Sequence, residues 1–263
     1  TALRLGQNFD AFHVMTRLTD RHKTIPYFKR VLVSSDTWGR STGRAVIHAL
    51  AGAHVYRVAV APMHSPDWTY HPRKGAALEG FDGYCEASDV PQINRSVAWS
   101  DKDGRFVGDR EEFEAIIEQS RSAYELANPG SIPSAEQFLE PWRELVRAHI
   151  AARWAGPMAQ LIHVCGELDE QSARDDSEFE HDISVADGML QLLPEGELPH
   201  ILRRTESTLR EPAVWARVGA LADVLDRLGE VGRELGQYLP EPRADWMQGL
   251  APQVDAAGLP TQG

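Results

Sequence analysis

The residues best suited to chemistry begin with two arginines, Arg40 and Arg44, which lie four residues apart. Asp36 can cap a helix that continues to about Ala51, so the sequence predicts both arginines on one face of a helix. Guanidinium groups bind carboxylates and phosphates bidentately. The pair therefore indicates either a pocket for a small anion or a peptide C-terminus, or a structural cluster closed by an acidic partner.

Histidines are the candidates for acid–base chemistry, because this side chain titrates near neutral pH. His48 follows Arg44 by four residues and is expected to flank the same face, although a histidine there is more often an ordinary core residue. His181 is the second candidate. His163 and Glu167 also share a helical face, but two ligands are too few for a metal site. We therefore predict no bound metal and no cofactor.

The chain has two cysteines, which excludes a disulfide framework and favours a reducing compartment. Cys165 lies in an apolar stretch and is expected to be inert. Cys85 lies in a segment over residues 63–91 that is rich in proline, glycine and aspartate, so we predict a loop there and a more exposed thiol. That loop is interpreted as a ligand lid or, equally, as a surface insertion.

The remaining sequence predicts the elements that position these side chains. Apolar spacing indicates a helix over residues 5–21, and β-rich runs indicate strands over 30–35 and 54–61. A hairpin is predicted from residues 93–100 and 105–107 around the Asp103-Gly104 turn. Helices are predicted near 109–127, 134–169, 176–193, 198–210 and 212–238.

The last predicted helix carries an apolar seam at three- and four-residue steps, formed by Val214, Val218, Leu221, Leu225, Leu228 and Leu235. Such a seam usually packs onto its own core, and the alternative is a homodimer contact. After residue 245 the composition predicts a loosely ordered tail over 246–263. We expect residues 1–245 to form a single domain.

Composition limits the classes of function. The 263 residues are 42% hydrophobic and 25% charged, as in an ordinary globular protein, and the formal charge is −12. This balance disfavours nucleic-acid binding, which needs a basic face. The sequence contains no phosphate loop, signal peptide or clean transmembrane span, so we predict a cytoplasmic protein with no membrane partner. The frequent alanine and arginine suggest a bacterial source.

Three segments resemble the FtsH-type zinc metalloproteases, the peptidase domains of AAA proteases. Residues 40–46, RSTGRAV, and the strand that ends before Pro62 resemble that family's HEAGHAV helix, its following strand and proline. Residues 150–160 resemble its second helix, L-A-G-x-A-A-E, and Gly166 follows where the family has a glycine. Residues 180–186 resemble its S-x-D-x-x-x-A helix. The resemblance implies a zincin-like fold over about residues 35–193, with Asp182 at the position of the third zinc ligand.

The departures from this family decide the expected function. In H-E-x-x-H, two histidines hold zinc and the glutamate activates water. This chain has Arg40, Ser41 and Arg44 at those positions. Arginine stays protonated and repels a divalent cation, and serine has no carboxylate to act as a base. The resemblance therefore implies a pseudoenzyme whose zinc site is lost.

We therefore predict an α+β, mainly helical protein with a small β-sheet and a zincin-like domain. Its expected function is that of a binding or accessory protein whose cleft holds a small anion or a peptide at Arg40, Ser41, Arg44 and Asp182. The alternative is a metal-independent enzyme, for example of a biosynthetic pathway, that uses His48 or His181. A third hypothesis is a structural partner that acts through the C-terminal seam.

Overall fold

The computed structural model describes residues 41–60, 83–88, 90–127, 134–176, 179–243, 245–246 and 249–250. Within them the fold is mainly helical with small antiparallel sheets, which confirms the α+β, mainly helical class. Arg40, the helix predicted over residues 5–21 and the strand predicted over 30–35 lie outside the described residues, as do residue 61 of the strand predicted over 54–61 and residues 63–82 of the predicted loop.

The helices, in chain order, are α1 (41–50), α2 (Pro91–Arg95), α3 (Arg110–Ala127), α4 (Ala135–Cys165), α5 (Glu170–Asp175), α6 (Glu180–Leu190), α7 (Leu198–Leu209) and α8 (Pro212–Leu228). The strands are β1 (Val55–Val60), β2 (Gly83–Ala87), β3 (Val97–Ser100), β4 (Arg105–Gly108) and β5 (Glu230–Val231). One antiparallel sheet has the order β2-β1-β5, and β3 pairs with β4 in a separate hairpin.

Helix α1 lies between the three-stranded sheet and the main helical core. Its alanines, Ala45 and Ala49, pack with Val58 and the inner face of the sheet. On its other side, Ile47 and Leu50 belong to the larger apolar core. A helix covered on both sides has little room for charge. Arg44, with a side chain that is 20% exposed, therefore marks an opening between these layers.

The long helix α4 forms the centre of the molecule. It begins at a capping box formed by Ser134 and Gln137, and it ends at Gly166, whose φ of 80° is left-handed. Pro141 and Pro157 lie inside it, and the helix continues through both. Residues 146–160 are buried except at 149 and 153. These two positions are four apart, so they mark one narrow face that opens toward solvent.

The β3–β4 hairpin is fixed against α6 through its backbone. The N–H of Phe106 donates to Ser184 Oγ at 3.2 Å, and the N–H of Gly108 donates to Gln191 Oε1 at 3.3 Å. A Cβ on Gly108 would lie 2.1 Å from the carbonyl oxygen of Gly188, so only glycine permits this approach. The hairpin therefore has a fixed position relative to α6.

Several predicted boundaries are wrong. Residues 83–87 of the predicted loop form β2, because they pair with β1. Residues 93–95 of the predicted hairpin belong to α2 instead. The helix predicted over 176–193 begins at Glu180, after the separate helix α5. The helix predicted over 212–238 ends at Leu228, because Gly229 turns the chain at a φ of 74° into β5.

Burial corrects three further expectations. Cys85 is buried beneath the sheet, whereas Cys165 is exposed, which is the reverse of the prediction. Trp246 and Leu250 of the predicted tail are buried in the main core, whereas residues 247–248 and 251–263 lie outside the described residues.

The C-terminal seam packs mainly inside the chain. Val214, Val218, Leu221 and Leu225 are buried, whereas Leu228 is 64% exposed. Leu221 therefore offers no surface for the dimer contact considered above. Within the described residues, no helix is both long enough and apolar enough to span a bilayer.

Candidate functional site

Two arginines share one carboxylate where α1, α4 and α6 meet. Arg44 Nη1 lies 3.0 Å from Asp182 Oδ1, and Arg153 Nη1 lies 2.5 Å from the same oxygen. The side chains of Arg44, Arg153 and Asp182 are 20%, 22% and 22% exposed. We call these three residues the arginine cluster. It is partly buried but accessible from solvent.

The close approach of α1 to α4 positions Arg44. Gly43 faces α4 so closely that an added Cβ would lie 2.5 Å from the carbonyl oxygen of Ala155 and 2.8 Å from Ala159 Cβ. A residue without a side chain therefore allows the two helices to touch immediately beside the cluster. Asp182 is in the first turn of α6, where a negative charge interacts favourably with the helix dipole.

The cluster holds its aspartate in the charged form. Burial alone would raise the pKa of Asp182, but Arg44 and then Arg153 outweigh it and lower this pKa to about 2. Burial, followed by the charge of Arg44, lowers the pKa of Arg153, yet arginine remains protonated at neutral pH. Two positive charges thus face one negative charge, and the three side chains carry a net charge of +1.

Two other arginines in the described chain are each paired with two acidic side chains. Arg147 binds both Glu197, with Nε–Oε2 at 2.6 Å, and Glu140, with Nη1–Oε1 at 2.6 Å. Arg174 contacts Asp187 and Glu170 with N–O distances of 2.8 and 2.9 Å. Each of these arginines has two acidic partners. The arginine cluster instead has one acidic partner for two arginines, and the buried Arg44 Nε makes no hydrogen bond with the described residues.

Histidines lie behind the cluster. The rings of His48 on α1 and His149 on α4 meet edge to face, with centroids 5.5 Å apart. His48 is 6% exposed, and burial, followed by the charge of Arg44, holds its pKa well below the ordinary value near 6.5. Burial also raises the pKa of Cys85, on β2, to about 11, so this thiol stays protonated. His48 and Cys85 are therefore both neutral at pH 7.

These shifts predict that the protein loses stability in acid. Unfolded His48 binds a proton near pH 6.5, whereas the folded state resists it, so the stabilisation is complete above pH 6.5 and declines below it. Asp182 adds to this loss of stability when the pH falls from about 4 toward 2, because its carboxylate then becomes protonated. For His48 alone the slope is at most about 1.4 kcal/mol per pH unit.

Urea unfolding between pH 5 and 8 checks this expectation. The variant His48→Gln should flatten the decline below pH 6.5, whatever its effect on stability at pH 8. His54→Gln is the control, because His54 packs on Tyr56 in the sheet region, with ring centroids 4.5 Å apart. An unchanged slope in His48→Gln would show that His48 is not protonated on unfolding.

An aromatic row leads away from the cluster along the hairpin. The ring of His181 meets that of Phe106 edge to face at 5.5 Å, and Phe106 meets Trp99 in the same way at 5.4 Å. His181 is exposed and directly precedes Asp182. Trp99 is 54% exposed. Burial lowers the pKa of His181, so its ring is largely neutral at pH 7. We call Trp99, Phe106 and His181 the aromatic row.

The structure brings together some of the predicted site residues and adds one. Arg44 and Asp182, which were both predicted for the site, lie in contact. Ser41 lies buried one turn before Arg44 on α1, and the position of Arg40 is outside the described residues. Sequence reasoning missed Arg153. The sequence does contain a signal for Arg153, because His149 and Arg153 are polar residues four apart within an otherwise apolar part of α4 and so share one helical face.

Comparison of the chain with models of protein families, with curated proteins and with solved structures found no match. Within the described part of the chain, no group of three or more His, Cys, Asp or Glu side chains comes together to hold a metal ion. The arginine cluster and its surroundings are therefore the features of the described chain that bear most directly on function.

Proposed function

We propose that the protein is a binding protein for a small carboxylate, which it holds at Arg44 and Arg153. The observation that carries this proposal is the sharing of one Asp182 oxygen by two arginines, in a site that solvent can reach. An incoming carboxylate would neutralise the remaining positive charge. It would also accept hydrogen bonds from guanidinium N–H groups other than the two that Asp182 already uses.

The partial burial of the cluster supports this function. Exposed ion pairs contribute little because water screens them, whereas the side chains here keep only about one-fifth of their exposure. An unbalanced charge in such a position is costly, and a bound anion would relieve that cost. The alternative of a purely structural cluster fits less well, because a structural role is better served by the two-acid pattern of Arg147 and Arg174.

We further propose that the chain is a degenerate relative of the FtsH-type peptidases with a zincin-like arrangement. The support is the contact between Arg44, at the position of the second zinc-binding histidine, and Asp182, at the position of the third ligand. These residues are 138 positions apart in the sequence. Positively charged arginines in place of the histidines oppose zinc, so the proposed protein is not a zinc protease.

Isothermal titration calorimetry with propanoate tests the binding function. The variant Arg153→Gln should weaken binding by about tenfold or more, because a charge-assisted hydrogen bond is lost. Arg174→Gln is the matched control, since Arg174 is a partly buried, ion-paired arginine outside the cluster, and its propanoate affinity should stay unchanged. Wild-type protein that does not bind propanoate, or equal weakening in both variants, would contradict the proposal.

The alternative of a metal-independent enzyme now depends on His181 more than on His48. His181 is exposed beside the cluster and is largely neutral at pH 7, as a general base must be. His48 is buried and faces His149. If the site is an enzyme, His181→Gln should abolish conversion of a bound carboxylate without removing its binding. A ligand recovered unchanged after long incubation with wild-type protein would favour the binding function.

A further inference from the structure

We infer that the ligand is an aromatic monocarboxylate, whose carboxylate binds Arg44 and Arg153 and whose ring packs on the aromatic row. This inference rests on the proposed function and adds the chemical class of the ligand. It is carried by the position of the row, which begins at the residue next to Asp182 and continues through Phe106 to the exposed Trp99.

The charge balance selects a monoanion. The arginine cluster carries two positive charges and one negative charge, so one carboxylate makes it neutral. A phosphate dianion would leave an excess negative charge in a partly buried site, which is unfavourable. His48 adds no charge at neutral pH, because its protonated form is disfavoured in this position.

The aromatic row offers a surface for a ring. His181 is exposed, Trp99 is 54% exposed and Phe106 is partly buried between them. The two ring contacts are both edge to face, an arrangement that aromatic rings prefer and that a ligand ring could extend. Of the exposed large apolar side chains described, Trp99 is the one connected to the arginine cluster through ring contacts.

The row and the cluster are held in one fixed geometry. The backbone of the hairpin is attached to α6 by the bonds from Phe106 to Ser184 and from Gly108 to Gln191. Asp182 and His181 belong to the same helix. A ligand with an acid group and a ring would therefore meet two prearranged subsites, which reduces the ordering cost of binding.

Titration of the full chain with 3-phenylpropanoate and with propanoate tests this inference. The ring should improve affinity by about tenfold over propanoate. Phe106→Leu and Trp99→Ala should each remove most of that gain and leave propanoate affinity unchanged. Trp99 is exposed, so its variant remains informative if Phe106→Leu does not fold. Tyr124→Ala is the matched control, because Tyr124 is a 42% exposed aromatic residue that packs on Phe138 instead.

The outcomes separate this inference from the proposed function. Equal affinities for the two compounds in the wild-type protein, or a gain that survives in both row variants, would overturn the aromatic subsite and leave carboxylate binding intact. No binding of either compound would overturn both proposals.

Discussion

Replacement of Asp182 by alanine should lower the free energy of unfolding by about 3 kcal/mol, because it leaves Arg44 and Arg153 facing each other without a counter-charge. In a protein of this size, that loss corresponds to a fall in Tm of about 6–12 °C. Differential scanning calorimetry at pH 7 measures it. The effect is large because both arginines contact the same oxygen of this one carboxylate.

Asp187→Ala provides the matched control for this experiment. Asp187, which is also on α6, forms an ion pair with Arg174 of α5, and Arg174 keeps Glu170 as a partner when Asp187 is removed. We expect a loss of less than about 1 kcal/mol for this variant.

Added acetate should restore part of the stability of Asp182→Ala, since a free carboxylate can occupy the vacated position and stabilise the folded state by mass action. The same concentration of sodium chloride controls for ionic strength. Acetate that raises the Tm of Asp182→Ala no more than sodium chloride does would contradict the assigned role of the arginines. A loss of similar size in the two variants would show that Asp182 is not the shared counter-charge.

Replacement of Gly43 by alanine is the second change with a large expected effect. The new Cβ would lie 2.5 Å from the backbone oxygen of Ala155, and a backbone atom of α4 cannot move aside on its own. We therefore expect the free energy of unfolding to fall by about 3 kcal/mol, at the upper end of the range for overpacked cores. The better helix propensity of alanine does not offset this loss. Urea unfolding measures this change.

The same substitution should also reduce propanoate binding, because separation of α1 from α4 moves Arg44 away from Arg153. Gly219→Ala in α8 is the matched control. A Cβ at Gly219 meets nothing within 4 Å, so this variant should gain about 0.5–1 kcal/mol. A tolerated Gly43→Ala with normal binding would show that α1 and α4 do not approach as described.

The sequence predicted the elements that have strong local signals. Helix α4 was predicted near 134–169, and it forms between a capping Ser134 and Gly166. The DG turn correctly placed β3 against β4. The resemblance of three segments to one family implied a site that includes both Arg44 and Asp182, and these two residues lie in contact.

The errors arise where long-range contacts override local composition. β2, with the sequence GYCEA, has no strong strand pattern of its own and exists because it pairs with β1, so no local pattern indicated that Cys85 would be buried. The helix predicted from residue 176 was interrupted because Asp176 is extended, with a ψ of 112°. Arg153 was missed because its partner Asp182 lies on a different helix, and the two meet only once α4 and α6 are packed together.

The most direct test of the proposed site is a crystal structure of the protein with 4-bromobenzoate, in which the bromine gives an anomalous signal. The account predicts a carboxylate within hydrogen-bonding distance of Arg44 and Arg153, with the brominated ring beside Phe106 and His181. A compound bound away from the two arginines, or a site that stays empty at a concentration above the measured Kd, would contradict it.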